Sequence, residues 1–455
     1  MARDAMNNAN TKDPIEKYVM PLAQRLGNNR HLIAIRDGMA LVMPFMIIGS
    51  LFLILAFLPF PGYEEYMTES GLMDKLLLPV GATYDLIAIF ATLGVAYRLA
   101  QKYTQLDPII AAAVALAAYM LVTPYNITHT IEATGEEISV SGINLAYMGS
   151  AGMFLGILIA IYATEVYRWL MVRNISFKLP DSVPPAVLKS FAALIPAFVV
   201  LTSLWLVRLA IEAADLGNLH TIIENILTAP LKLIGGSYIG ALVATTMEHA
   251  LWAVGIHGSN IVSSIMLPIW LVFTDENRIA FQAGTEIKNI ITDQTNSIFL
   301  NFGGSGSMMA LVLLLAFRAR SEQCRSIGKL GLPSSLFNIS EPIMFGLPVV
   351  LNPIMVIPFI LAPVVGLTLT YIGMASGLVA LPAGISVPWT TPIFIGGYLS
   401  TGGHISGAVM QLINLLAAMA IYYPFMKKWD SICLANEKMV TQETPEEDEK
   451  AALSF

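Results

Sequence analysis

The sequence predicts an all-α polytopic membrane protein with about ten transmembrane helices, re-entrant hairpins and surface amphipathic helices. Of its 455 residues, 56% are hydrophobic and 13% are charged, and the mean hydropathy is +0.67. Apolar runs of about twenty residues recur along the chain, and this length crosses the hydrocarbon core of a bilayer. No basic patch stands out in the sequence, so we expect no nucleic-acid partner.

The first half contains five clear apolar spans, at 37–58, 84–101, 108–123, 148–171 and 187–211. The segments on one side of these spans carry twelve Lys or Arg residues, whereas the alternate loops 59–83 and 124–147 carry only Lys75. Cytoplasmic loops are the ones enriched in Lys and Arg. The pattern therefore places the N-terminus in the cytoplasm and both alternate loops outside.

Two further segments have apolar residues at helical spacing and should lie along the membrane surface. Pro14–Leu26 belongs to the N-terminal segment 1–30, whose first part, Met1–Asn10, is polar and lacks the apolar core of a cleavable signal. Leu219–Leu233 follows the fifth span and should lie on the outer face. The C-terminal segment 431–455 contains an acidic run, which predicts a solvated, poorly ordered cytoplasmic tail.

The second half mixes clear spans with apolar runs that are too short to cross. The clear spans lie at 238–255, 305–318, 352–376 and 405–426. The short runs are Ile261–Phe273, Ile343–Leu351 and Pro392–Leu399, each bounded or broken by Gly, Pro, Ser or Asn. Irregular backbone at membrane depth survives only inside protein or beside a water-filled cavity. We therefore predict a five-helix scaffold over 31–212 and a solute-handling half, with re-entrant segments, over 213–430.

Glu341 is the first candidate site residue, because an ionisable group at membrane depth is costly without a cavity or a partner. It lies in the polar segment Asn338–Pro342, and the proline is typical of the first turn of a helix. A carboxylate there can accept a hydrogen bond from a sugar hydroxyl. The alternative is a helix cap that satisfies backbone donors.

His257 is the second candidate, since it lies between glycines in the segment Gly255–Asn260. An imidazole both donates and accepts hydrogen bonds near neutral pH, which suits holding or deprotonating an alcohol. The alternative is a histidine satisfied in the core. The preceding pair Glu248–His249 competes for the role, but a buried hydrogen-bonded contact is the favoured interpretation there.

Aromatic and amide side chains in the same half could complete a sugar site. An indole face stacks on a sugar ring, although packing explains most membrane tryptophans; the candidates are Trp252, Trp270 and Trp389, with Trp389 the strongest. Amides could bind hydroxyls or make local turns; the candidates are Asn260, Asn301 and Asn338. The glycine-rich run 303–307 lacks the lysine of a phosphate-binding loop and predicts a turn that opens the next span.

The two cysteines, Cys324 and Cys433, have a spacing that suits neither a metal site nor a disulfide framework. Both lie in segments predicted to be cytoplasmic, where thiols stay reduced. We therefore expect unpaired thiols, no metal site and no cofactor.

Three motifs carry a family resemblance: Gly255-Ile256-His257-Gly258, Asn338-Ile339-Ser340-Glu341-Pro342, and the run from Phe345-Gly346-Leu347-Pro348 to Asn352-Pro353. They resemble the membrane-embedded IIC component of the bacterial phosphoenolpyruvate-dependent sugar phosphotransferase system. Within that system the chain is most similar to the lactose/cellobiose/diacetylchitobiose branch. The similarity covers nearly the whole chain.

The resemblance implies a multi-pass homodimer in the lipid of the bacterial cell membrane, with its interface in the first-half spans. It implies that the second half binds one β-linked disaccharide, diacetylchitobiose or cellobiose, and moves it by rigid-body motion. It also implies that a phosphocysteine on a separate IIB protein, recharged by a IIA protein, phosphorylates the sugar's C6 hydroxyl. His257 and Glu341 match the family residues near that hydroxyl and carry its catalytic roles. The chain would then be one component of a protein-phosphohistidine–sugar phosphotransferase.

The segment around Cys324 does not resemble the loop around a IIB cysteine. We therefore expect the phosphocarrier to be a separate protein that docks at cytoplasmic loops of this chain. These loops include Arg318, Arg320, Arg325 and Lys329.

A proton- or sodium-coupled sugar carrier is the main alternative function, with Glu341 and His257 as its proton relay. Such a carrier delivers free sugar without a protein partner, whereas a IIC component delivers sugar phosphate and requires phosphorylated IIB. A pore-forming channel is less favoured, because no repeated filter motif occurs.

Overall fold

The computed structural model describes residues 20–58, 60–130, 137–177, 184–347, 349–350 and 352–452. The first six residues of the predicted surface helix Pro14–Leu26 lie outside these residues, which begin within it at Met20.

The described chain is mostly α-helical. Up to residue 237 the helices are α1 (Met20–Gly27), α2 (Arg30–Met39), α3 (Val42–Ala56), α4 (Tyr63–Glu69), α5 (Leu72–Tyr84), α6 (Ile87–Ala100), α7 (Pro108–Val122), α8 (Leu145–Met148), α9 (Met153–Val172), α10 (Pro185–Ala192), α11 (Leu194–Ala213), α12 (Leu219–Ile223) and α13 (Ala229–Gly235). The later helices are α14 (Tyr238–Ala253), α15 (Gly258–Gln282), α16 (Met308–Arg318), α17 (Glu322–Leu336), α18 (Glu341–Gly346), α19 (Val356–Ala375), α20 (Ile395–Ser400) and α21 (Ile405–Ala452). Single turns of other helix types lie at Ser150–Gly152 (3₁₀), Glu224–Thr228 (π) and Thr295–Leu300 (π).

The residues form two compact units. The first contains 1–237 and 260–275, and the second contains 238–259 and 276–455. All of the predicted site residues except Asn260 and Trp270 fall in the second unit.

Among the described residues, six helical segments are long and apolar enough to cross a membrane: Arg30–Ala56, Leu72–Ala100, Ser150–Val172, Val187–Ala213, Val356–Ala375 and Ile405–Met439. The pair Leu219–Gly235 and Tyr238–Ala253 counts as a seventh if its two helices form one span, and Pro108–Val122 and Met308–Arg318 are shorter apolar helices. Each span predicted from the sequence overlaps one of these segments. The prediction of an α-helical membrane protein is therefore confirmed. The count of about ten crossings, the re-entrant hairpins and the side of the termini remain predictions.

Helix α7 begins with residues that are typical of a helix N-terminus. Asp107 precedes α7 and accepts hydrogen bonds from the backbone N–H groups of Ile109 and Ile110, at 3.1 and 3.4 Å. Pro108 occupies the first turn, where its missing N–H costs nothing. Lys189 adds an ion pair to the same carboxylate, at 3.2 Å.

One loop predicted to lie outside contains the only strands that the described residues form. Strands β1 (Asn126–Thr130) and β2 (Glu137–Ser141) pair antiparallel, with Asn126 opposite Ser141. The sequence prediction of a purely helical chain missed this hairpin. Its alternation of apolar and polar residues is short, and charges interrupt it.

The run 261–273 is not a short segment, contrary to the sequence prediction. It lies inside the 25-residue helix α15, which contains Pro268. The helix continues because the polar residues that follow the run find partners. The amide of Asn277 donates to the carbonyl oxygens of Asn289 and Pro382, at 2.7 and 2.8 Å. The other two short runs contain α18 and α20, of six residues each.

The last helix, α21, also differs from expectation, since it passes 426 and extends into the acidic segment as far as Ala452. Buried Asp430 accepts from the backbone N–H groups of Arg320 and Ser321. Two turns later, Glu437 accepts from the Ser321 hydroxyl at 2.7 Å and from the N–H of Gln323 at 2.9 Å. These bonds satisfy the free donors at the start of α17 and give the extended helix a packing partner.

The core of the second unit gathers around α16. Most of this helix is buried, and it packs with Phe359 of α19 and Tyr422 of α21. The Tyr422 hydroxyl donates to the carbonyl oxygen of Gly306 at 2.7 Å. This bond fixes the turn before α16, against which the candidate site is built.

Candidate functional site

The glycine-rich run 303–307 is a tight turn that leads directly into α16, as its composition predicts. Gly303, Gly304, Gly306 and Ser307 all have positive φ, from 55° to 95°, a region that glycine adopts without penalty. A Cβ atom on Gly304 would lie 2.4 Å from the Cβ of Ser340. Glycine at this position therefore lets the turn approach the segment that carries Glu341.

Asn338 clamps this turn to a second loop. Its side-chain oxygen accepts from the N–H of Gly303 at 2.6 Å. Its NH₂ group donates to the carbonyl oxygens of Trp389 and Thr391, at 2.6 and 2.9 Å. The residue is 7% exposed and has a φ of 62°. Both amide protons are therefore used by the protein's own backbone, and a sugar contact through this side chain would have to use the second lone pair of its oxygen.

Glu341 begins the short helix α18, with Pro342 in its first turn, as predicted. Its side chain is exposed, and the described residues offer it no hydrogen bond or ion pair. It does not act as a cap, since the residue at the cap position, Ser340, makes no side-chain capping bond and Glu341 makes none either. The carboxylate oxygens therefore keep their lone pairs available for a donor such as a hydroxyl.

His257 lies just before α15 and is exposed. Its ring centroid is 4.1 Å from that of Trp252, with 42° between the ring planes. Trp252 lies near the end of α14 and is buried. A Cβ atom on Gly258 would lie 1.8 Å from the carbonyl oxygen of Glu248, so glycine is what lets the chain return so closely against α14. This close approach at Gly258 brings the rings of His257 and Trp252 together.

A hydrogen-bond network begins at one of these rings, that of Trp252. The indole N–H of Trp252 donates to the hydroxyl of Ser259 at 3.0 Å. That hydroxyl donates in turn to Oε1 of Glu248 at 2.6 Å. The Ser259 and Ser305 hydroxyl oxygens are 3.2 Å apart, and Ser305 belongs to the glycine-rich turn. The network therefore connects the His257 segment with the turn that Asn338 holds.

Glu248 and His249 both make buried contacts, which was the favoured interpretation of this pair. Glu248 is 2% exposed and His249 is fully buried. The Nδ1 atom of His249 is 2.7 Å from the carbonyl oxygen of Thr245, one turn earlier in the same helix.

Trp389 lies between α19 and α20, and its side chain is 52% exposed. Besides the bonds from Asn338, its segment is held by fully buried Gln294, whose side-chain oxygen accepts from the N–H of Val387 at 3.0 Å. An exposed indole on a fixed backbone is able to stack on a ligand ring. Trp270, in contrast, is buried in the first unit.

The remaining amide candidates differ in their surroundings. Asn301 follows the π-helical turn Thr295–Leu300, and its backbone carbonyl accepts from the N–H of Gly304 at 2.9 Å. Its side-chain oxygen is buried and has no partner among the described residues, so it is an unused hydrogen-bond acceptor. Asn260 is half-buried in the first turn of α15 and belongs to the first unit. Its backbone carbonyl accepts from the Ser264 hydroxyl at 2.7 Å.

Sequence reasoning missed Gln294 and the bond between Glu248 and Ser259. Gln294 lies in no motif, and its partner is more than ninety positions away, so no local pattern could have revealed it. Glu248 and Ser259 lie on either side of the turn around His257. An acidic residue before a turn and a serine after it are only a weak sequence signal for a hydrogen bond between the two side chains.

The cysteines are buried and unpaired, as expected. Burial raises the pKa of Cys324 to about 12, so this thiol stays protonated near neutral pH. Since the thiolate is the reactive form, Cys324 is a poor phosphoryl acceptor. Among the described residues, no group of three or more His, Cys, Asp or Glu side chains is arranged to hold a metal ion.

The cationic residues predicted to meet a phosphocarrier are all exposed. Arg318 ends α16, Arg320 follows it, and Arg325 and Lys329 lie on α17. The guanidinium of Arg325 donates to the carbonyl oxygen of Ala319, at 3.0 Å from its terminal nitrogen. The link between α16 and α17 therefore presents several positive charges.

Comparisons with known proteins point to one family. A family model described as "Phosphotransferase system, EIIC" matches residues 36–363. The chain is 49% identical to the lichenan permease IIC component of Bacillus subtilis (strain 168), over 96% of this chain and 98% of that protein. It is 50% identical to the cellobiose-specific EIIC component of Geobacillus stearothermophilus, over 93% of this chain and 95% of that protein. Among solved structures, it matches the transporter ChbC, the IIC component from the N,N'-diacetylchitobiose-specific phosphotransferase system. The TM-score is 0.91 and the identity 46%, covering 93% of this chain and 99% of that one.

Proposed function

This chain belongs to the EIIC family of the phosphotransferase system, and we propose that it transports a β-linked disaccharide, cellobiose or diacetylchitobiose. In this proposal the sugar moves inward and its C6 hydroxyl is presented to a phosphorylated IIB protein. The observation that carries the proposal is the continuous network of bonds in the second unit. It runs from Trp252, beside His257, through the glycine-rich turn to Asn338, and from there to Trp389. A carboxylate, an imidazole and two indoles are thereby held by one framework.

The chemistry of phosphoryl transfer to an alcohol fits these groups. The reaction needs the acceptor hydroxyl held in line with the donor and relieved of its proton. We assign Glu341 as the group that accepts the hydroxyl proton or its hydrogen bond, and His257 as its neighbouring catalytic partner. The exposed indole of Trp389 stacks on a sugar ring, Trp252 supports the sugar beside His257, and Asn301 accepts from a hydroxyl.

The other amides have smaller or indirect roles in this proposal. Asn338 acts chiefly by fixing the backbone of the Trp389 segment. Asn260 lies in the first unit, and its role as a sugar contact stays a prediction from the sequence.

The phosphoryl donor reaches the site from another protein. The positive charges at the link between α16 and α17 are proposed to dock the phosphorylated IIB protein, which a IIA protein recharges. Attraction between a cationic surface and a phosphoprotein raises the encounter rate and falls with added salt.

The same proposal extends to topology and assembly. We propose about ten transmembrane helices, with α18 and α20 in re-entrant hairpins and both termini in the cytoplasm. Segment 1–30 would be the cytoplasmic surface segment, 31–212 the lipid-embedded scaffold and homodimer interface, 213–430 the transport half and 431–455 the acidic cytoplasmic end.

The test uses the full chain reconstituted in lipid vesicles with phosphoenolpyruvate and the soluble phosphocarriers. We expect disaccharide 6-phosphate to form only when phosphorylated IIB is present, and no free disaccharide to accumulate without it. Cellobiose and diacetylchitobiose are compared in parallel, and the one with the higher kcat/KM identifies the preferred sugar. Accumulation of unmodified disaccharide without IIB, driven by a proton or sodium gradient, would overturn the proposal in favour of a coupled carrier.

A further inference from the structure

Glu248 is a buried carboxylate that the proposed chemistry does not use. It lies in α14 and is 2% exposed, and burying such a group is costly unless hydrogen bonds compensate for it. An apolar side chain of similar size would pack α14 at lower cost. The residue that it contacts, Ser259, suggests why an acid is present.

The directions of the hydrogen bonds around Ser259 depend on Glu248. A hydroxyl has one proton and two lone pairs. Ser259 gives its proton to Glu248, at 2.6 Å, so both of its lone pairs are free to accept. One accepts the indole N–H of Trp252, which can only donate. The other faces the hydroxyl of Ser305, at 3.2 Å, which is then the donor.

The two donors contact different parts of the candidate site. Trp252 contacts the imidazole of His257 through its ring. Ser305 belongs to the glycine-rich turn, which Asn338 holds through Gly303 and which packs on the residue before Glu341. A single acceptor thus sets two bonds, one toward each of the two groups assigned to catalysis.

From this arrangement we propose that Glu248 is a positioning residue. Acting through Ser259, it fixes His257 and Glu341 relative to each other on the acceptor sugar. The inference rests on the proposed function, because it concerns the same site. It predicts that loss of the acceptor misplaces the catalytic groups without removing either of them.

The experiment compares Glu248→Leu, Glu248→Gln and Ser259→Ala in the reconstituted phosphorylation assay. Glu248→Leu removes the acceptor, and we expect kcat for sugar phosphorylation to fall about 10- to 100-fold, since a misplacement of about 1 Å can cost that much. The Kd for the disaccharide should change less than about fivefold, because Glu341 and Trp389 keep their exposed side chains. Glu248→Gln keeps an acceptor oxygen and should restore most of the rate.

Ser259→Ala should reproduce the loss in kcat, and the double variant with Glu248→Leu should be no worse than either single variant, because both break one chain of contacts. Thr246→Val is the matched control on the same helix. Its exposed side chain bonds only to the carbonyl of Leu242, so the rate should stay at the wild-type level.

The outcomes separate this inference from the proposed function. If wild-type protein phosphorylates the sugar and both Glu248→Leu and Ser259→Ala match its kcat, the positioning role is overturned and the proposed function stands. Equal losses in Glu248→Gln and Glu248→Leu would also overturn it, since the acceptor would then be irrelevant. If Glu248→Leu fails to fold, Ser259→Ala decides, because it removes a single hydroxyl. If wild-type protein forms no sugar phosphate, the proposed function itself fails.

Discussion

Replacing Asn338 with Asp tests whether the two loops of the candidate site are held by this single amide. The substitution preserves volume and keeps the oxygen that accepts from the N–H of Gly303. It replaces the two N–H donors with a carboxylate oxygen, which then faces the carbonyl oxygens of Trp389 and Thr391 at distances now between 2.6 and 2.9 Å.

The cost follows from the number of bonds lost. A fully buried carbonyl that loses its partner costs about 1–3 kcal/mol. Both of these bonds are only part-buried, so the two losses together destabilise the clamp by at most about 6 kcal/mol. We expect part of this cost as a lower thermal midpoint of the detergent-solubilised protein. The rest should appear in sugar binding, because Trp389 lies on the released segment. A tenfold increase in Kd corresponds to about 1.4 kcal/mol, which is smaller than the maximum destabilisation of the clamp.

The measurements are thermal unfolding and calorimetric titration with the disaccharide, on Asn338→Asp and on Asn174→Asp. Asn174 is exposed and also has a positive φ, 58°, so it receives the same chemical change at the same backbone conformation without a buried partner. The control should match wild type. A wild-type thermal midpoint together with wild-type affinity in Asn338→Asp would refute the clamp.

Three further predictions address other links in the same argument. Glu341→Gln should abolish sugar phosphorylation with a change in Kd of less than about tenfold, and His257→Ala should weaken binding, phosphorylation or both; normal sugar phosphate production by both variants would refute their assignment. Gly304→Ala should lower both thermal stability and activity, since its Cβ would collide with the serine before Glu341, and unchanged values would show that the turn can shift freely. Burial raises the pKa of Asp107, but the hydrogen bonds from Lys189 and from two backbone N–H groups outweigh it, and the net pKa is lowered. A lowered pKa stabilises the fold above the unfolded value of about 3.9 and loses that effect as the pH falls below it. Asp107→Asn should therefore lower stability by at most about 1 kcal/mol at pH 7, because the lysine is largely exposed. The difference from wild type should begin to shrink below about pH 4 and vanish once the pH falls below the lowered pKa of the folded state; a difference that persists at still lower pH would show that charge is not its cause.

Features set by neighbouring residues were predictable from the sequence. Glu341 starts a helix because Pro342 suits the first turn, and the run 303–307 turns because glycines reach positive φ. The apolar spans follow from composition alone. In each case the physical cause lies within a few residues of the feature.

Features set by distant contacts were not predictable. The run 261–273 was interpreted as a short segment because polar residues follow it. In the structure the side-chain amide of Asn277 donates to two backbone carbonyl oxygens. Because its hydrogen bonds are satisfied, α15 can continue through this polar residue. In the same way Asp430 finds donors more than a hundred positions earlier, so α21 extends beyond its predicted end. A sequence pattern treats a polar residue as the end of an apolar helix. In the folded chain the same residue can find hydrogen-bond partners from distant segments, and the helix continues.

The candidate site divides its polar side chains into two groups, and this division has a physical reason. Glu248, Gln294 and Asn338 are buried and bond to the protein itself, whereas the Glu341 and Trp389 side chains are exposed. A flexible site would lose conformational freedom on binding a sugar, and that loss would weaken affinity. When buried amides and acids have already fixed the loops, the exposed groups meet the sugar with little further ordering. Substitutions in the buried group should therefore change how well the chemistry works even though they touch neither the sugar nor the phosphoryl group.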